Sequence, residues 1–115
     1  MTDPHVDRDV LDTLREVMED GYPELLETFL ADSESRLHEL QDSTSAKALS
    51  DAAHSFKGSA SNMGAIRLAA LCQDLESHAN EKSPQALAQL VADIHSEFAD
   101  VRPVYENERH HDHTL

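Results

Sequence analysis

The sequence predicts an all-α domain: an antiparallel up-down-up-down four-helix bundle with a short extra N-terminal helix. Three observations carry that prediction. Apolar residues recur at spacings of three and four in five separate segments, the period of a helix with one buried face. Ala, Leu, Glu, Asp and Ser dominate, with 3 Gly, 4 Pro, 3 Phe, 2 Tyr and no Trp, a balance that favours helix over strand. The connections between the segments are short, which makes consecutive long helices antiparallel neighbours. At 115 residues the chain fits one domain with one core, placed at residues 1–109, and leaves no room for a large enzyme cleft.

The first helix is expected over residues 7–18, where Val6, Val10, Leu11, Leu14, Val17 and Met18 fall on one stripe. It is short and should lie across one end of the bundle. The second, over 22–41, follows a break at Asp20-Gly21. Pro23 suits its first turn, where the missing N–H would have had no partner, and Glu24 and Glu27 complement the helix dipole. Leu25, Leu26, Phe29, Leu30, Leu37 and Leu40 form its apolar stripe. The third, over 45–62, starts at the good N-caps Ser43-Thr44-Ser45 and buries Ala46, Leu49, Ala52 or Ala53, Phe56, Ala60 and Met63. Gly64 fits a left-handed C-cap. The fourth, over 65–80, turns Leu68, Leu71, Cys72, Leu75 and Ala79 inward. The fifth, over 84–108, opens on Ser83 as N-cap and Pro84 at the first helical position, with Leu87, Leu90, Val91, Ile94, Phe98 and Val101 as its stripe. Tyr105 continues that stripe past Pro103, so a kink is expected there rather than an end. Residues 110–115 read as a disordered tail.

The formal net charge of −14 bears on partners. An acidic surface repels phosphate backbones and anionic lipid, so neither nucleic acid nor membrane is an expected partner. No apolar run approaches the ~20 residues needed to cross a bilayer. The segment Met1-Thr2-Asp3-Pro4-His5 has neither the basic nor the apolar region of a secretory signal. The single cysteine, Cys72, cannot form an internal disulfide, in agreement with a reducing compartment. A cytoplasmic location is therefore expected.

The third helix carries the candidate site. At about 100° per residue, His54 and Phe56 point in nearly opposite directions, so a buried Phe56 puts His54 in solvent. Lys57 and Gly58, three and four residues on, share its outer face, and Ser61 extends it. Glycine inside a helix costs about 1 kcal/mol relative to Ala. At a surface position it has no core reason to be there, but it clears the approach to the imidazole. Lys57 places a cation beside any anion carried on His54. Two readings stand on this pattern alone: an open His platform with a positive neighbour, or ordinary solvated residues and a tolerated glycine.

The residues from His54 to Glu76 resemble the signature of the histidine-containing phosphotransfer (HPt) family. They run His54-Ser55-Phe56-Lys57-Gly58-Ser59-Ala60, then Gly64, Leu68, Cys72 and Leu75-Glu76, each anchor at the family's spacing. The segment Val17 to Leu37 also resembles the stand-alone, HptB-type members. The resemblance implies a phosphocarrier rather than an enzyme with its own ATP-dependent kinase activity. His54 would be phosphorylated, Lys57 would offset the charge, Gly58 would clear the surface and Gly64 would shape the turn. Leu68, Leu71, Cys72 and Leu75 read as core, and Ser59 as bonding either near the imidazole or back to its own helix. The donor would be the aspartyl phosphate of a hybrid kinase's receiver domain and the acceptor the Asp of a response regulator. No cofactor of its own is implied, since the receiver would supply Mg²⁺. Receivers would dock over helices two and three, with Ser55, Asp51 and Ser61 as candidate contacts, on a monomer.

Three competing readings bear on the same residues. In the dimerisation domain of a histidine kinase the residue after the His is typically acidic, and here it is Ser55. A metal-binding bundle needs paired Glu-x-x-His motifs on facing helices. The one present, Glu108 to His111, falls in the polar tail, while His38, His78 and His95 are scattered and read as solvated. The tail His110-His111-Asp112-His113 could chelate Zn²⁺ or Ni²⁺ weakly. A scaffold that carries no phosphate would be expected to have lost one of His54, Lys57 or Gly58.

Overall fold

The computed structural model describes residues 5–43 and 45–113, with side chains described to His110. Helix α1 spans Arg8–Met18, and a single 3₁₀ turn at Glu19–Gly21 leads into α2, Tyr22–Asp42. Helices α3 (Ala46–Asn62), α4 (Ile66–His78) and α5 (Pro84–His113) follow. Packing runs α2 on α3, α3 on α4, α4 on α5 and α5 back on α2, which closes a four-helix ring. No described helix is long and apolar enough to cross a membrane.

The helix ends follow from local chemistry. Asp7 caps α1 by accepting from the amide of Asp9, and Ser45 caps α3 by accepting from Ala48 N at 3.1 Å. Ser83 Oγ accepts from Ala86 N at the start of α5. These bonds satisfy amides that the first turn leaves without partners. Thr44, named with the caps of α3, lies outside the described residues.

The core is the set of apolar stripes laid against one another. Leu26, Phe29, Leu30, Leu37 and Leu40 of α2 meet Ala53, Phe56 and Ala60 of α3, Leu68, Cys72 and Leu75 of α4, and Ile94, Phe98 and Val101 of α5. Fully burying a side chain such as Phe56 contributes about 1.5–3 kcal/mol. Phe29 and Tyr105 stack at a 59° tilt with centroids 4.9 Å apart, and the Tyr105 hydroxyl donates to the carbonyl of Met63 at 2.7 Å. Burial pushes the Cys72 thiol up to about 12, which makes it a core residue and a poor nucleophile.

Three expectations are corrected. Val17 is 72% exposed and Met18 is exposed too, because α1 turns away at Glu19 before its last residues reach a neighbour. The inward side of this segment is Val6 and Leu11 alone among fully buried residues. Helix α5 runs to His113, so residues 110–113 are helical rather than part of a disordered tail; residues 114–115 lie outside the described residues. The extension has a cause in Glu108, which is 6% exposed and so no part of a polar tail. Its carboxylate accepts from Arg8 at 2.7 and 2.8 Å, from the Tyr22 hydroxyl at 2.9 Å, and from Arg15. This pins the last turns of α5 to α1 and to the start of α2. Pro103 sits inside α5 with Val101 and Tyr105 both buried around it. The carbonyl it leaves without a donor belongs to Ala99, an exposed residue that water can reach.

Gly64 is the second anchor of α1. Its φ of +76° is the left-handed C-cap, and its carbonyl accepts from the Asp7 amide at 2.7 Å. A Cβ there would stand 3.0 Å from both Asp7 O and Val10 Cβ. Gly64→Ala therefore meets backbone strain and a close contact together. Chemical denaturation should show a loss of about 1–3 kcal/mol. Unchanged stability would mean that α1 rests loosely on this turn.

Candidate functional site

Helix α3 turns Phe56 fully inward and leaves His54 67% exposed, as the wheel requires. What the wheel does not show is the neighbour on α4. His54 Nδ1 lies 2.7 Å from Glu76 Oε2. Lys57 Nζ lies 2.9 Å from Glu76 Oε1 and donates to Gln73 Oε1 at 2.8 Å, while Gln73 Nε2 donates to Ser77 Oγ. One carboxylate of α4 thus holds both the histidine and the lysine of α3.

The electrostatics follow from that contact. The Lys57 hydrogen bond above all, with the His54 bond and both charges, outweighs desolvation and holds the Glu76 carboxyl below the usual carboxylate range. Glu76 is then ionised at neutral pH and can only accept, so the proton of a neutral His54 sits on Nδ1. That tautomer follows from the hydrogen-bond network. The lone pair is left on Nε2, the nitrogen farther from the backbone and away from Glu76. The arrangement yields a fixed, solvent-facing imidazole nucleophile with an ammonium group alongside.

A Cβ added at Gly58 would meet nothing within 4 Å. The chain's own packing therefore does not require glycine here, and the helical cost of having one has no internal return. An open surface beside His54 is its one structural effect. Of the other residues named on this face, Ser55 and Ser61 are exposed, and Asp51 is exposed and paired with Lys47 at 2.9 Å. Ser59 does neither of the two things expected of it: its hydroxyl donates to Asp32 Oδ2 at 3.3 Å, tying α3 to α2. Gly64, Leu68, Cys72 and Leu75 are all buried, at the C-cap and along the inner face of α4.

The metal-bundle reading loses its motif. Glu108 is committed to Arg8, Arg15 and Tyr22. His78 pairs with Asp74 of its own helix at 2.8 Å, and His38 and His95 line a shallow cavity between α2 and α5. His111 and His113 carry no described side chain.

Comparisons with known proteins agree with this frame. The Hpt domain family model matches residues 24–102, well over half of the chain. Among solved structures, the chain is similar to histidine-containing phosphotransfer protein B (HptB) from Pseudomonas aeruginosa PAO1. The identity is 47%, over 94% of this chain and 96% of that one, with a TM-score of 0.89. A rice protein provisionally described as a histidine-containing phosphotransfer protein superposes with a TM-score of 0.85 over 96% of this chain and 84% of its own. At 18% identity it speaks for the fold alone. A search of curated proteins gave no match. The bundle, the match along most of its length and the near-full-length likeness to HptB lead to one conclusion: the chain belongs to the Hpt domain family, with a phosphotransfer role in phosphorelay signalling.

Proposed function

We propose that His54 is the phosphorylated residue, and that the chain takes a phosphoryl group from the aspartyl phosphate of a hybrid sensor kinase's receiver domain and passes it to the Asp of a response regulator. The observation that supports this most is an exposed imidazole held through Nδ1 by Glu76, with Nε2 free and an unobstructed Gly58 beside it.

The step needs no proton to move. The Nε2 lone pair forms a bond to phosphorus as the P–O bond to the receiver's aspartyl group breaks, and the electron pair leaves with the carboxylate. The product ring keeps its Nδ1–H and carries phosphoryl on Nε2, so it is cationic. Glu76, already against Nδ1, balances that charge. Onward transfer reverses the step: a second carboxylate attacks phosphorus, the N–P bond breaks, and the lone pair returns to Nε2. Lys57 Nζ stands by the same carboxylate, one helical turn from His54, and its role is to offset charge on the phosphoryl oxygens. The chain is a carrier without its own ATP-dependent activity. The receiver domain brings Mg²⁺ and the acidic pocket that holds it. Docking is over α2 and α3 around His54, with Ser55, Asp51 and Ser61 at its edge, on a cytoplasmic monomer.

The test is incubation with a panel of phosphorylated receiver domains. Acid-labile, alkali-stable label on this chain is the expected result; no label from any receiver by a folded bundle would favour a scaffold. Glu76 can be tested separately. Glu76→Gln removes the balancing charge and allows its amide to donate to Nδ1, which would put the proton on the attacking nitrogen. Rapid-quench transfer should slow by about 10- to 100-fold while the helical signal stays unchanged. An unchanged rate would reduce Glu76 to a clip between α3 and α4.

A further inference from the structure

Two carboxylates of α5 are almost equally buried and very differently compensated. Glu108, 6% exposed, receives two guanidinium groups and a phenol. Glu97, 5% exposed, faces His5 Nδ1 at 2.7 Å, and among the described residues that imidazole is its one polar side-chain partner. A carboxylate withdrawn from water needs a matching charge, and an imidazole supplies one only when it is protonated. One turn on, at i+3, Asp100 brings a second carboxylate to the same place. The ligating atoms of His5, Glu97 and Asp100 all lie within 4.8 Å of one another.

We propose that His5, Glu97 and Asp100 form a binding site for a Zn²⁺-class divalent cation. The donor set is one imidazole nitrogen and two carboxylate oxygens. Imidazole suits Zn²⁺ and its transition-metal neighbours, whereas Mg²⁺ and Ca²⁺ favour oxygen alone. Three protein ligands and a water complete a tetrahedron. With bonds of about 2.0–2.2 Å, the donors of such an ion stand roughly 3.4 Å apart. The exposed Asp100 side chain can supply that closure by rotation. Two positive charges neutralise the two carboxylates, and a surface of net charge −14 concentrates cations around it. The site stands apart from His54, because α5 packs on α2 and α4 rather than on α3. Its effect is mechanical: His5 precedes the buried Val6 and the Asp7 amide that bonds Gly64, so a bound cation fastens the strap that leads into α1 onto α5.

The experiment uses the untagged full chain with His110, His111 and His113 replaced by Ala, which removes chelation by the tail. Zn²⁺ is titrated against a chromophoric chelator and the thermal midpoint is followed. One equivalent should bind and raise the midpoint, and His54→Gln should keep both effects. His5→Ala, and separately Asp100→Asn at an exposed position that does not endanger folding, should weaken binding by at least about tenfold, the lower end of the loss caused by removing even an outer-sphere partner. No binding by the parent protein overturns the proposal, leaving a plain His5–Glu97 hydrogen bond. Undiminished affinity in either variant also overturns the three-ligand site.

Discussion

His54→Gln is expected to abolish phosphoryl acceptance completely while the bundle stays folded. The side chain is 67% exposed and its one described polar contact is with Glu76, so its removal takes nothing from the core. Surface changes of this kind alter stability by no more than about 0.5 kcal/mol. Gln matches the reach of the imidazole but offers an amide, which has no nucleophilic nitrogen lone pair. The measurement is transfer from a phosphorylated receiver to wild type and variant side by side, with circular dichroism on both. Label on the variant would refute the assignment and turn attention to another histidine.

Glu108→Ala should cost about 3 kcal/mol, the low end for breaking a buried ion pair. The low end applies because Arg8 and Arg15 are partly exposed and can be rehydrated, whereas the buried Tyr22 hydroxyl loses its acceptor. The same contact sets a pH dependence. Desolvation pushes the Glu108 carboxyl up, but the Arg8 and Tyr22 hydrogen bonds and the charges of Arg8 and Arg15 outweigh it and leave it lowered. A carboxyl lowered on folding contributes stability that is complete above its unfolded value, about 4.3, and is lost as pH falls through the folded value. Urea denaturation should therefore show wild type exceeding Glu108→Ala at pH 7, with the gap closing below pH ~4. A gap that persists in acid would mean that the loss comes from packing and not from charge.

The long helices and their inner faces are legible in the sequence because they rest on local spacing. Phe56, Leu68, Cys72, Leu75 and Ile94 could each be placed by periodicity, and Gly64 by its position after a helix. His54 and Gly58 are legible for the same reason, since outward-facing positions follow from inward ones. Glu76, Asp32 and Glu108 are not. Each acts through a partner 22, 27 or about 100 residues away, and a carboxylate in a helical pattern carries no sign of which cation it will meet. Glu108 is misplaced in a polar tail because its polar neighbours in sequence say nothing about its burial. Val17 and Met18 mislead because the apolar stripe runs to the end of α1, which turns away at Glu19 before these residues reach a neighbour.

Gly58 has a kinetic consequence. Interfaces usually concentrate binding energy in well-packed side chains at the centre of the contact. In the docking proposed here, the position next to the reacting nitrogen contributes no side chain at all. What holds the complex must then come from its periphery, and affinity differences between related complexes lie mostly in the dissociation rate. A carrier that lingered on its donor would never reach its acceptor. In that docking, the bare turn at Gly58 would give up residence time in favour of throughput, and the face would suit brief encounters in succession rather than one lasting complex.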